Sequence, residues 1–243
     1  MNQNEQKKLV AERAIDTLIE RKLIFSGMKI GLGTGSTAIP AVKRLAEKIR
    51  SGIIKDIKAV ATSFQTSILC EELGIPVYSM NGNKIQGELD LAIDGADEID
   101  PAGNLIKGGG AALLLEKIVA YNARKYIIVA DETKVVPHLG TKFPLPVEII
   151  PEARISIIRE IEKLGGKAVL REGVKKCGPV ITDNGNQILD CLWEPEKDGT
   201  SPVNPPEIED RINSITGVVE TGFFTKNKPS IFIARSDGTV EER

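Results

Sequence analysis

Apolar positions along this chain follow two alternating rhythms. Near the start Leu9, Val10, Ala14, Leu18 and Ile19 recur at helical spacing, which predicts a helix burying one face. A turn at Ser26-Gly27 follows, and MKIGLGTGST then begins a strand. Further apolar runs in IKAVATS, IPVYSM, LDLAIDGAD and KYIIVADETK predict more strands, with helical patterns between most of them. This alternation is that of an α/β protein with a parallel sheet.

The rhythm changes at PHLGTKFPLPVEIIPEAR, where Pro137, Pro144, Pro146 and Pro151 crowd together and a domain border is expected. Beyond it the pattern predicts a strand at Val147–Ile150, a helix at Glu152–Leu164, a strand at Lys167–Arg171 and a hairpin turning in TDNGN. A second proline cluster, SPVNPPEIED, precedes a helix to Ile215 and two strands, GVVETGFF and PSIFIARSDGTV, which are expected to rejoin the first domain. The predicted organisation is a Rossmann-like parallel-sheet domain, residues 1–135 and 206–243. A smaller α+β domain with an antiparallel sheet, residues 136–205, is inserted in it. No internal repeat or low-complexity tract is present.

Composition narrows the function classes. With 243 residues, 41% hydrophobic and 27% charged, the chain can bury a substantial core. A net charge of −2 gives no basic footprint for nucleic acid. The polar start MNQNEQKKLV lacks the apolar core of a secretory signal, and no apolar run approaches the roughly 20 residues that span a bilayer. The expectation is a cytoplasmic protein without membrane contact. Cys70, Cys177 and Cys191 are odd in number and form no CxxC pair, so they read as buried or incidental thiols.

Polar chemistry collects where the predicted strands end. Ile30-Gly31-Leu32 runs into GTGST, Ala92-Ile93 into Asp94, and Val129-Ala130 into Asp131 and Lys134. In open α/β sheets ligands bind outside these carboxyl ends, so three stretches are expected to converge on one crevice. Gly33-Thr34-Gly35-Ser36-Thr37-Ala38 fits the permissive GxGxxA dinucleotide pattern. However, the next strand ends in Thr62 and Ser63 where a ribose-binding acid is needed, and no GK[ST] completes a Walker loop. What remains is a glycine turn that brings N–H groups and the Ser36 and Thr37 hydroxyls to the start of a helix from about Ala38 to Ile49, a natural seat for one phosphate. The plainer alternative makes Ser36 or Thr37 an ordinary helix cap.

DLAIDGADEID carries Asp90, Asp94, Asp97, Glu98 and Asp100, with Asp94 and Asp97 expected to face the crevice. Their spacing matches no calcium loop, and His138, the single histidine, reads as a surface-loop residue. Without a metal or cofactor motif, the polar groups must act by proton transfer and electrostatics. Lys107 precedes Gly108-Gly109-Gly110, whose bare backbone can approach a small ligand closely. Then Glu116 stands alone after an uncharged run from Ala111 to Leu115. Burial among leucines would make it a base able to take a proton from carbon; the alternative sets it beside Lys117 on a wet helix face. For Lys107 and Lys134 the alternative is likewise a solvated side chain.

Taken in order, GLGTGSTA, DGADEID, KGGGAALLLEK, ADETK, KFPLPVEIIP, TDNGNQILD and GVVETGFF closely resemble the type A ribose-5-phosphate isomerase family, over almost the whole chain. The resemblance implies interconversion of D-ribose 5-phosphate and D-ribulose 5-phosphate through a cis-enediol, without metal or organic cofactor, in a homodimer or homotetramer. It makes Glu116 the general base and Thr34, Gly35, Ser36 and Thr37 the phosphate loop. It adds Asp94, Gly95, Ala96 and Asp97, the stretch Lys107, Gly108, Gly109 and Gly110, and Lys134 as substrate contacts. Lys107, the glycine amides and a carboxylic proton from Asp94 are the candidates for stabilising charge on the sugar oxygens. One departure stands out: many relatives carry arginine where this chain has Leu115. A sugar-phosphate sensor and a CoA-transferase-like enzyme, whose glutamate would be a nucleophile, are the competing readings of the same loop.

Overall fold

A computed structural model of the protein describes residues 1–175, 177–194 and 201–243. The chain divides into two units, one of Met1–Ala96, Leu115–Thr133 and Pro229–Arg243, the other of Asp97–Leu114 and Lys134–Lys228. Elements are numbered along the whole chain.

The first unit contains α1 (Gln3–Glu20), β1 (Lys29–Leu32), α2 (Ala38–Arg50), β2 (Lys58–Ala61), α3 (Phe64–Leu73) and β3 (Leu91–Asp94). Then come α4 (Leu113–Tyr121), which enters this unit at Leu115, β6 (Tyr126–Asp131), β12 (Ser230–Ala234) and β13 (Val240–Glu242). The sheet order is β13-β12-β6-β3-β1-β2, parallel except for β13. Helix α1 begins with reciprocal capping: Asn2 accepts the Glu5 N–H at 3.0 Å while the Glu5 carboxylate accepts that of Asn2 at 2.8 Å. Its apolar stripe Val10, Ala14, Ile15 and Leu18 packs with Val42 and Leu45 of α2 and with Ile30, Leu32, Ile93 and Val129 of the sheet. Alternation along β1 turns Gly31 to the opposite face, where α4 lies. A Cβ at Gly31 would stand 2.2 Å from Val119 Cγ1.

The second unit contains β4 (Glu98–Ile99), β5 (Leu105–Ile106), β7 (Leu145–Ile149), α5 (Arg154–Lys163), β8 (Lys167–Leu170), β9 (Gln187–Leu192), α6 (Pro205–Asn213), β10 (Val218–Thr221) and β11 (Phe223–Phe224). Antiparallel strands in the order β10-β7-β9-β8 make one sheet, and β11-β5-β4 a smaller one. Ile157 and Ile161 of α5 and Ile208 and Ile212 of α6 close the core over Val147, Ile149 and Leu189. The TDNGN turn is held by buried Glu148, whose Oε1 accepts from Thr182 Oγ1 at 2.9 Å and Asn186 Nδ2 at 2.8 Å.

Two expectations need correction. IPVYSM forms no strand: a single bridge joins Val77 to Ala59, and Val77 is exposed, so nothing apolar extends the pairing. GVVETGFF does not rejoin the first unit. Val218–Thr221 pairs with β7 and Phe223–Phe224 with β5, and the return comes only with Pro229–Arg243. Among the described residues no helix is long and apolar enough to cross a membrane.

Charge also ties α1 to α2. Arg44 Nη2 and Lys48 Nζ stand 2.7 and 2.8 Å from the two oxygens of Asp16. Burial opposes ionisation of Asp16, but the hydrogen bonds from Arg44 and Lys48 outweigh it and hold the carboxyl below its ordinary range. A depressed carboxyl contributes stability above the unfolded-state pKa and loses it as pH falls through the folded one. Asp16→Asn should therefore cost about 1 kcal/mol or less at pH 7, the deficit closing as the medium is acidified through the carboxylate range. Urea unfolding at several pH values checks this, and a pH-independent deficit contradicts it.

Burial pushes the Cys70 thiol up to about 11, and burial with the neighbouring Asp190 charge raises Cys191 as well. Cys177 is exposed. A disulfide reagent at pH 8 should titrate one thiol rapidly in the folded protein, and none in Cys177→Ser; a second fast thiol would contradict the packing described.

Candidate active site

In the first unit the chain leaves β1 toward β2 on one side, while β3 pairs on the other, so the β1/β3 edge is a topological switch point. Gly33 follows β1, and a Cβ there would fall 2.0 Å from Asp94 Oδ1. That oxygen, at the end of β3, accepts the N–H of Thr34 at 3.1 Å and of Gly95 at 2.8 Å. Asp94 is buried and thereby pins the glycine loop.

The loop then turns at Gly35, whose φ of +92° suits glycine, into Ser36, Thr37 and α2. Thr37 stands at the cap position, but no side-chain cap hydrogen bond forms. The plain-cap alternative is thus not realised, and the first amides of α2 have no side-chain acceptor at that position. Thr37 is buried, its Cβ 3.5 Å from where a Cβ on Gly95 would be; Ala96 follows, half-buried. Ser36 is exposed and accepts a hydrogen bond from Lys7 Nζ at 3.0 Å.

Thr34 has a different place from its neighbours. Its hydroxyl lies 2.7 Å from both Thr62 Oγ1 and Ser63 Oγ and 3.1 Å from Thr66 Oγ1. Thr66 in turn donates to the Gly33 carbonyl at 2.8 Å. Four hydroxyls therefore fasten the loop to the end of β2 and the start of α3.

Glu116 lies in the first full turn of α4 and is 6% exposed. The helix precedes β6 by a short connection and so runs against the strand direction. Since Val119 packs on Gly31, Glu116, three residues earlier on the same face, lies about 4.5 Å nearer the strand ends that carry the glycine loop. The wet-face alternative fails for its neighbour too: Lys117 is buried, with Nζ 5.8 Å from the Tyr121 ring centroid. Leu115 is half-buried.

Asp97, Lys107, Gly108, Gly109, Gly110 and Lys134 belong to the second unit. Lys107 is buried, not solvated, and its ammonium lies 5.6 Å from the Phe224 ring centroid. Its backbone N–H donates to Gly222 O at 2.9 Å. Gly222 has to be glycine in this packing, because a Cβ there would lie 2.3 Å from the Lys107 carbonyl. The turn continues through Gly108, with φ +99°, and Gly109 donates its N–H to Asp97 Oδ2 at 2.8 Å. Lys134 ends a short 3-10 turn, half-buried.

The other carboxylates of the acidic stretch, and Asp131, each accept backbone N–H groups. Asp90 accepts the Lys29 N–H and Asp100 the N–H and amide of Asn104. Glu98, buried, accepts three N–H groups from Gly140, Lys142 and Phe143. Asp131, fully buried, accepts the Thr133 N–H at 3.1 Å. His138 is half-buried, its Nδ1 3.2 Å from Thr141 Oγ1. Two features escaped the sequence reading. Lys7 gave no signal, being one of several polar residues on an amphipathic helix. Thr62 and Ser63 did give one, since hydroxyls there already excluded a nucleotide-binding acid.

Comparison with known proteins places the whole chain among relatives of one kind. The family model described as ribose 5-phosphate isomerase A (phosphoriboisomerase A) matches residues 58–238. Ribose-5-phosphate isomerase A of Treponema denticola is 59% identical over 242 residues, covering 100% of both chains. A D-ribose-5-phosphate isomerase structure in complex with phospho-erythronic acid superposes with a TM-score of 0.89 at 42% identity, covering 100% of both chains. The Methanocaldococcus jannaschii ribose 5-phosphate isomerase A structure gives 0.85 at 40% identity, covering 99% of this chain and 100% of that one. A family model that matches most of the chain, and relatives aligned with it from end to end, lead to one conclusion: this chain belongs to the ribose 5-phosphate isomerase A family.

Proposed function

We propose that Glu116 is the base with which this isomerase interconverts ribose 5-phosphate and ribulose 5-phosphate. The observation that carries the assignment is its burial on α4, one turn from the Val119–Gly31 contact. A carboxylate withdrawn from water is a stronger base than a solvated one. The open-chain sugar gives its phosphate to the start of α2 and to Ser36 and Thr37, with Lys7 and Lys134 as counter-charges. Fixing the far end of the substrate fixes its carbons against the base.

Glu116 takes the C2 proton of the aldose and returns it to C1 through a cis-enediol, a role worth typically ~10²–10⁴-fold. Charge that builds on the sugar oxygens is met by Lys107, by the glycine turn and by Asp94. The Gly109 amide already donates to Asp97, so among the turn's exposed residues the donor role falls to Gly110. Asp97 then holds the turn. On the family resemblance, the enzyme works in the cytoplasm as a homodimer or homotetramer, without metal or organic cofactor. Light scattering on the purified protein tests the assembly.

Glu116→Gln keeps shape but accepts no proton from carbon, so kcat should fall at least 100-fold with KM near the wild-type value. Near-normal turnover in that variant removes the base assignment. Removing the phosphate contacts has the opposite signature. Lys7→Ala, and Ser36→Ala combined with Thr37→Ala, should raise KM about 10- to 100-fold, the range for losing hydrogen bonds to a charged group, with a smaller change in kcat. An unchanged KM excludes the loop and Lys7 from phosphate binding. Ketose formation from ribose 5-phosphate should be indifferent to chelator; inhibition by chelator contradicts the metal-free mechanism.

A further inference from the structure

Within the second unit the glycine turn is held from behind by a side chain that no sequence motif singled out. Arg171 follows β8, and its Nη1 donates to Gly108 O at 2.9 Å and to Gly109 O at 3.1 Å. The other edge of the same guanidinium is forked onto Asp190 of β9, with Nε at 2.9 Å from Oδ2 and Nη2 bonded to Oδ1. Arg171 and Asp190 are 13% and 25% exposed at their side chains, so the pair is largely withdrawn from water. Such a planar five-donor fork suits arginine and not lysine.

The bonded carbonyls matter because of what lies across each peptide plane. The Gly108 carbonyl shares its peptide with the Gly109 N–H, and the Gly109 carbonyl shares its peptide with the Gly110 N–H. A cation on a carbonyl oxygen polarises the whole amide and strengthens its N–H as a donor. The first of these amides donates to Asp97, which fixes the turn from the opposite side. The second belongs to Gly110, which is exposed, with nothing within 4 Å of the position a Cβ would take. The turn is thus clamped between a carboxylate on one N–H and a guanidinium on two carbonyls.

The geometry points to Arg171, aligned by Asp190, as a positioning residue that orients and polarises the Gly109 and Gly110 amides for the isomerase reaction. It touches no substrate and acts through the turn. The inference rests on the reading of Lys107–Gly110 as the group that meets the developing charge.

Kinetics of the full-length enzyme on ribose 5-phosphate test it, with thermal unfolding measured on the same samples. Arg171→Met should lower kcat roughly 10- to 100-fold, the scale of a misplacement of about 1 Å, with KM within about twofold of wild type. Arg171→Lys, which keeps the charge but not the fork, should recover part of the loss. Asp190→Asn, which leaves the guanidinium less firmly aligned, should fall between Arg171→Met and wild type. Should Arg171→Met fail to fold, the other two variants carry the same split. Wild-type kcat in folded Arg171→Met, or a loss that appears only in KM, overturns the role. So does a kcat loss that follows the unfolding temperature alone, with no rescue by lysine. Lys107→Met separates this from the underlying reading: wild-type turnover there removes the turn from catalysis and the positioning role with it. A collapse in Lys107→Met beside an unaffected Arg171→Met removes only the latter.

Discussion

Everything in the first unit's site hangs on one carboxylate oxygen occupying the space where a side chain on Gly33 would be. Asp94 Oδ1 gathers the Thr34 and Gly95 amides and so couples the ends of two neighbouring strands at the point where the sheet's winding reverses. Any residue with a Cβ at Gly33 would collide with that oxygen and release the loop from β3. The four hydroxyls of Thr34, Thr62, Ser63 and Thr66 then secure the loop from the other side. The phosphate binding proposed for Ser36, Thr37 and the start of α2 would in this sense follow from backbone held in place before any ligand arrives, the condition for preorganised electrostatics.

The second unit solves a similar problem with different means. Gly222 lets β10 run on toward β11 directly against the Lys107 carbonyl; its own carbonyl accepts the Lys107 N–H and its N–H donates to the Pro146 carbonyl. Lys107 can then sit buried beside Phe224, its charge facing an aromatic ring in place of bulk water. Across both units, glycines serve less as flexible points than as places where one strand or side chain comes within contact distance of another backbone.

Much of this was legible from residues, for reasons that differ. The helix of Leu9 to Ile19 and the strands ending in GTGST, Asp94 and Asp131 were readable because burial on one face imposes a period. The burial of Glu116 was readable because an uncharged run isolates it, and it is 6% exposed. IPVYSM misled because an apolar run does not by itself secure burial or pairing: here Val77 is exposed and makes a single bridge to Ala59. GVVETGFF misled because which sheet a strand joins depends on partners about seventy to over a hundred residues away, which no local window contains. The acidic cluster was least legible of all. Its five carboxylates look interchangeable in DLAIDGADEID, yet each accepts a different set of backbone amides, and only tertiary placement distinguishes the loop-pinning Asp94 from the structural Glu98.

The order of strands in the first sheet also governs how the protein can assemble as it is made. Strand β6 is buried along its whole length and pairs with β12, yet about a hundred residues separate Asp131 from Ser230, roughly 5 to 20 seconds of translation. For that interval a largely apolar strand has one side unpaired, an open edge of the kind that invites association with other chains. The nascent isomerase is therefore vulnerable while its second unit is emerging, and the safety of the finished sheet depends on β12, which is delivered only after that unit.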